Sequence, residues 1–327
     1  MKFSTKLLIA GLSTGLGYEK AQALQEQRSL RSRLTEKTLP FIQVVPVIKN
    51  QADYQNALAK SAQHYRLPSI VEKLYDFHPT QNGSDVLELN PAIKKVSGEV
   101  IFYIHGGGYW GQPLIPHFNM LHQLANKLGS RIVLPIYPKA PAYKATDAYE
   151  MVLSAYQELL DDEHVDPQRI TFMGDSAGGG LALALMQKLR DDHLSLPKRA
   201  VLLSPWLDVT NSNPKMSQIQ PVDPMLDLKN LTRLGRGYIG DLDSHDPLAS
   251  PIYGDSSELP SIYVFTGTHD ILNADALKFQ RLADQNDWNV TTFNYQKMNH
   301  VFSVFPIPEG TDSLNRIVHI IQSSDDQ

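Results

Sequence analysis
The chain has 327 residues, 42% apolar and 20% charged, enough to bury a substantial core within one elaborated domain and too apolar for a disordered chain. Its net charge of -5 leaves no basic footprint, so no nucleic-acid partner is expected. There is no cysteine, which excludes disulfides, thiolate metal sites and a cysteine nucleophile.

Residues 1–23 carry Lys2 and Lys6, an apolar run from Leu7 to Leu16, and Ala21-Gln22-Ala23. A positive start, a short apolar core and a small-x-small site form the pattern of an export signal, cleaved or kept as a membrane anchor. The run is too short for an ordinary transmembrane helix. The other reading is the first helix of a lid packed on the domain, which leaves a cytoplasmic location open. From Gln25 to Leu74 the pattern is polar and helical, broken by Pro40, Pro46 and Pro68, and is expected outside the main sheet. "EKLYDFHP" and "SDVLELNP" flank Gln81-Asn82-Gly83 and read as two strands around a turn.

Beyond that point the chain alternates. The runs "EVIFYI", "SRIVLPIY", "RITFMG", "RAVLLSPW", "SIYVFTG" and "VTTFNYQ" read as strands, with helices expected at 118–128, 146–160, 177–189 and 274–285. Short apolar strands alternating with amphipathic helices predict an α/β fold, a mostly parallel sheet covered on both faces. The stretch 208–250 breaks the rhythm. Together with residues 24–70 it is expected to form a helical cap over one domain spanning 24–327.

Gly174-Asp-Ser-Ala-Gly178 sits between a strand and a helix. Its spacing fits neither a dinucleotide fingerprint nor a phosphate loop, but it matches the Gly-x-Ser-x-Gly nucleophile elbow. Ser176 is then the nucleophile. The loop His105-Gly-Gly-Gly108 follows another strand and can turn successive amides towards one point. The expected oxyanion donors are the amides of Gly106, Gly107 and Ala177. His105 is read as a structural hydrogen-bonding group, and Asp175 as a supporting carboxylate beside the nucleophile.

The paired motifs HGGG and GDSAGG, with "YPKAPAY", "LSPWLDVT", "LASPIYG" and "TGTHDIL", resemble the hormone-sensitive-lipase-like branch of the α/β-hydrolases over about residues 100–305. An elbow serine needs an acid and then a histidine in chain order. Asp270 follows "SIYVFTG" and His300 follows "VTTFNYQ", the two positions where this family carries its acid and base. Asp275 is the rival acid, though its place inside a helix suits a cap or surface role better. Asp270-Ile-Leu and Pro138-Lys-Ala-Pro-Ala depart from the family's usual Asp-Pro and Arg-Leu-Ala-Pro-Glu, without removing a catalytic atom.

The resemblance implies a serine esterase acting on small-molecule esters with short- to medium-chain acyl groups, needing no metal or cofactor. An amidase, peptidase or acyltransferase would use the same groups, and a ligand-binding receptor would keep the scaffold without turnover. Trp110, Trp206, Met216, Ile219 and Met225 are candidates to line the substrate pocket.

Overall fold
The computed structural model describes residues 15–42, 45–80, 85–91 and 98–323. Its eight strands are β1 (His78–Pro79), β2 (Val86–Leu89), β3 (Val100–Ile104), β4 (Arg131–Pro135), β5 (Ile170–Asp175), β6 (Arg199–Leu203), β7 (Ser261–His269) and β8 (Val290–Asn299). They form one sheet in the order β1-β2-β4-β3-β5-β6-β7-β8, antiparallel at β1–β2 and β2–β4 and parallel from β4 onward. The eleven helices among the described residues are α1 (15–25), α2 (Leu30–Glu36), α3 (Gln51–Ser61), α4 (Ser69–Tyr75), α5 (Ile115–Leu128) and α6 (Ala145–Leu160), followed by α7 (Ser176–Asp191), α8 (Pro214–Ile219), α9 (Leu228–Ile239), α10 (Asn273–Asn286) and α11 (Pro308–Ser323).

The strands read as unbroken apolar runs because both faces are covered. Along β3, Phe102 faces the core that also holds Val152 of α6 and Phe279 of α10, and its ring meets Tyr156 and Phe172. Its neighbours Ile101 and Tyr103 point the other way, into a core with Leu121 of α5 and Ile317 of α11. That is the two-residue period of a pleated strand serving two layers. Thirteen of the sixteen α7 residues are buried, as expected of a helix apolar on every side.

Two expectations change. "EKLYDFHP" is not a strand: Glu72 to Tyr75 finish α4, Asp76 closes that helix at φ +57°, and only His78 and Pro79 pair with β2. The Gln81-Asn82-Gly83 turn, and the apolar leader before residue 15, lie outside the described residues. No element was expected after His300, yet α11 covers a sheet face, with Leu314, Ile317 and Ile321 at helical spacing.

The chain leaves β3 for β4 on one side and returns through α6 to β5 on the other. The order in which strands are added therefore reverses between β3 and β5, where open α/β sheets leave a crevice at the strand C-termini. The glycine loop leaves β3 there and Ser176 follows β5. The N-terminal helices dock nearby. Glu19 bonds Arg33 at 2.6 Å and also pairs with Lys37, Arg28 donates to the Lys297 carbonyl at 3.0 Å, and Glu36 pairs with His269.

Candidate active site
No residue separates β5 from α7, so the chain turns from strand to helix at Ser176 itself. Ser176 holds φ +51°, a left-handed conformation that non-glycine residues adopt at a cost. The turn closes only because its neighbours are small. A Cβ at Gly174 would lie 2.6 Å from the Gly178 carbonyl oxygen, and one at Gly178 would lie 2.0 Å from that of Ile104. As the first turn of α7, this segment also has backbone N–H groups without intrahelical acceptors, which favour negative charge.

Asp270 follows β7 directly and is fully buried. One of its oxygens accepts the Leu272 N–H at 2.9 Å, and the other lies 3.0 Å from His300 Nδ1, which donates to it. His300 follows β8 in the same way. Its loop is pinned on both sides: Asn299 donates from its side chain to the His300 carbonyl at 2.9 Å, and the Val301 N–H donates to Ser204 Oγ at 3.0 Å. Burial alone would lower the imidazole pKa, but the carboxylates of Asp270, Asp223 and Asp175 outweigh it and raise it above 6.5. With Nδ1–H committed to Asp270, Nε2 is the nitrogen left to take a proton.

Asp275, the rival acid, lies inside α10 and takes a side-chain N–H from Asn213 at 2.8 Å. It is fully buried and not at the surface, and burial pushes its carboxyl up to about 6. Asp270, not Asp275, is the hydrogen-bond partner of His300.

The glycine loop departs from expectation at one amide. Gly106 donates its N–H to Asp175 Oδ1 at 2.7 Å, so this N–H is engaged and does not face a substrate. The residue cannot carry a side chain there, since a Cβ would stand 2.1 Å from Asp175 Oδ2. Gly107 then turns to φ +117° and Gly108 to φ +64°, which redirects the following peptide planes. Gly107 borders the same cavity as Ser176. Two of the three expected donors, Gly107 and Ala177, remain without an acceptor for their N–H groups among the described residues.

Asp175 is the hub of this loop. It accepts from Tyr103 Oη at 2.6 Å, from Gly106, and from His117 Nε2 at 3.2 Å. Burial opposes its charge, but His117 and the two other donors hold its pKa below 3.8. In return, burial of His117 is outweighed by Asp175, and the imidazole pKa is raised above 6.5. His117 was missed from sequence because the helix was expected to start at 118. It stands in the first turn of α5, where its Nδ1 lies 2.9 Å from the Leu114 nitrogen and 3.2 Å from the Leu114 carbonyl oxygen, to which the charged ring donates. His105 donates to the Gly106 carbonyl at 2.6 Å and stacks on Tyr137 with ring centroids 4.6 Å apart. Burial, then the charge of Lys139, keep its pKa well below 6.5.

Ser176, His300 and Gly107 open onto a cavity of about 130 Å³. Its wall is mostly apolar, with Ile42 and Val45 from the N-terminal segment, Leu114 and Pro116 at the start of α5, Met225, and Val301, Val304 and Phe305 after β8. Of the five residues expected there, only Met225 lines it. Trp110 donates its indole N–H to the Leu234 carbonyl at 2.9 Å and packs edge-on against Tyr54. Trp206 is fully buried, stacks on Tyr109, and donates to the Asp208 carbonyl and Asn211 Oδ1. Met216 is core, and Ile219 packs against the same core. Both indoles satisfy their N–H groups in the scaffold, the usual requirement for a buried tryptophan.

A family model described as the alpha/beta hydrolase fold matches residues 101–304. An acetyl-hydrolase of Streptomyces hygroscopicus is 33% identical over 216 residues, covering 65% of this chain and 72% of its own. An esterase of Acinetobacter venetianus is 31% identical over 230 residues, covering 69% and 76%. The crystal structure of an esterase from the bacterial hormone-sensitive lipase family superposes with a TM-score of 0.71 at 26% identity, covering 84% of this chain and 99% of that one. The chain belongs to the α/β-hydrolase fold family. Within that family it is an ester hydrolase of the bacterial hormone-sensitive-lipase type.

Proposed function
We propose that this protein is a serine carboxylesterase that cleaves small short- to medium-chain acyl esters through Ser176, His300 and Asp270. One observation carries the reading. The serine on its strained turn and the histidine tethered to a buried carboxylate border one apolar cavity, beside a glycine amide without an acceptor. A cavity of only about 130 Å³ favours the short end of that acyl range.

His300 Nε2 removes the proton of Ser176 as its oxygen attacks the ester carbonyl, and Asp270 holds the ring and stabilises the imidazolium. The Gly107 and Ala177 amides receive the oxyanion, each worth about 3 kcal/mol of transition-state stabilisation. Asp175 holds the loop that aims the first of them. His300 then protonates the leaving alcohol, and water repeats the sequence on the acyl-enzyme. Residues 24–70 and 208–250 act as the cap, contributing Ile42, Val45 and Met225 to the cavity wall.

A series of p-nitrophenyl esters of rising acyl length tests this, with Ser176→Ala as control. Turnover of the short esters that disappears in the variant is expected. Equal turnover by the variant would remove Ser176 from the mechanism.

The segment around residues 19–23 is proposed to stay on the protein as a packed helix, not to be cleaved as a leader. Ala23 is buried and Glu19 is bonded to Arg33 and Lys37, so cleavage at residue 23 would strip packed contacts. A mature N-terminus near residue 24 in exported protein would contradict this.

A further inference from the structure
We propose that Asp223 is a positioning residue for the acid–base pair, holding the loop that carries Asp270 and setting a second carboxylate against His300. The inference rests on the reading of Asp270 and His300 given above.

Asp223 lies in the insertion between β6 and β7, just after the single 3-10 turn Gln220–Val222. Its Oδ2 accepts the backbone N–H of Ile271 at 2.8 Å, and Ile271 is the residue after Asp270. The next N–H, that of Leu272, goes to Asp270 itself. Two consecutive amides of the loop are thus divided between two carboxylates from different parts of the chain. The other oxygen of Asp223 accepts the N–H groups of Met225 and Leu226 at 2.8 and 2.9 Å. That turn delivers Met225 to the cavity wall, where its sulfur accepts from Asn299, the neighbour of His300. One side chain therefore ties the insertion to the acid loop and sets the residue that leans on the base loop.

A group used only to cap a turn needs no charge. Asp223, however, is placed where its charge is felt at the pair. Burial, and then the Asp270 carboxylate, push its carboxyl up to about 6. The groups that act on the His300 imidazole are Asp270 from the loop after β7, Asp223 from the insertion and Asp175 from the end of β5. An ionised Asp223 favours the imidazolium formed during proton transfer, and its hydrogen bond to Ile271 limits the freedom of Asp270 to swing from the ring. Nature could have filled this corner with a neutral cap, such as Asn213 provides for α8.

The test uses the full-length enzyme, with kcat and KM on a p-nitrophenyl ester measured across pH for the wild type, Asp223→Asn, Asp223→Ser and Asp223→Glu. Both neutral variants are expected to lower kcat roughly ten- to a hundredfold, with KM changed less than about threefold. They should also move the acid limb of the profile to lower pH, because loss of a negative charge lowers the His300 pKa. Asp223→Glu should recover part of kcat and return the limb towards the wild-type position. The serine in Asp223→Ser can still cap the Met225 turn, so it separates charge from folding. A folded neutral variant with an unmoved limb and kcat within about twofold of wild type would overturn the proposal.

An NMR titration of His300 in the wild type and in Asp223→Asn provides a reading that does not depend on turnover. The imidazole should titrate at lower pH in the variant, and an unchanged titration would overturn the proposal. Wild-type enzyme without Ser176-dependent turnover would instead count against the esterase reading, while the titration would still report on the Asp223–His300 pair.

Discussion
Gly106 gives its backbone N–H to the Asp175 carboxylate across 2.7 Å, joining the glycine loop after β3 to the nucleophile elbow after β5. The bond spans the point where the strand order reverses, so the two halves of the site are set by one buried anion and its donors. Tyr103 and His117 supply the other two contacts, and none of the three donors is exposed.

Removing that anion should cost stability as well as activity. Asp175→Ala strands three buried donors, each at about 1–3 kcal/mol, and frees the loop that orients Gly107. Urea denaturation should show a loss of several kcal/mol, and kcat should fall in the fraction that stays folded. Unchanged stability would mean that the loop is held by other contacts.

The same pair sets a pH dependence of stability. Asp175 has its folded pKa depressed below 3.8, so its contribution is present above that value and is lost as pH falls through the folded pKa. His117 has its folded pKa raised above 6.5, so its contribution is complete below 6.5 and is lost as pH rises through the folded pKa. Urea midpoints should therefore decline more steeply as pH rises above 6.5 in wild type than in His117→Gln. His300 contributes with the same sign to both proteins, so the difference isolates His117. Parallel slopes would contradict the assignment.

For activity the relevant limb belongs to His300. A protonated imidazole cannot accept the Ser176 proton, and its pKa is raised above 6.5. Accordingly kcat/KM should rise with pH through a limb above 6.5. A limb at or below that value would mean that the carboxylates around the ring do not outweigh its burial.

Met225 and Trp206 should separate cavity from core. Met225→Ala enlarges the cavity wall and should shift preference towards longer acyl chains. Trp206→Ala removes a fully buried ring and should cost about 3–5 kcal/mol of stability while leaving the ranking of acyl lengths unaltered. A changed ranking in the tryptophan variant would return Trp206 to the pocket.

Much of this architecture was legible because it is locally encoded. Parallel strands buried on both faces must be apolar runs, which is why β3, β5, β6 and β7 stood out. The elbow was readable because Gly174 and Gly178 leave no room for a Cβ. What was not legible depends on contacts between distant segments. No spacing rule reveals that His117 reaches Asp175 or that Asp223 reaches Ile271. A run of three glycines likewise does not say which amide is turned inward, and here Gly106 faces Asp175 instead. Large apolar side chains in the insertion were equally ambiguous: Trp206 and Met216 serve the core, and only the turn capped by Asp223 brings Met225 to the cavity.

The central claim is that Ser176 carries the acyl group, and intact-protein and peptide mass spectrometry after brief exposure to p-nitrophenyl acetate tests it most directly. Trypsin releases Ser176 in the peptide from Ile170 to Lys188, which holds one other hydroxyl residue, Thr171. The expected result is a single acetyl addition on Ser176 in that peptide, accumulating further in His300→Ala only if the ester is reactive enough to acylate without a base, and absent from Ser176→Ala. An acetyl group elsewhere in the chain, or the same addition in Ser176→Ala, would contradict the account.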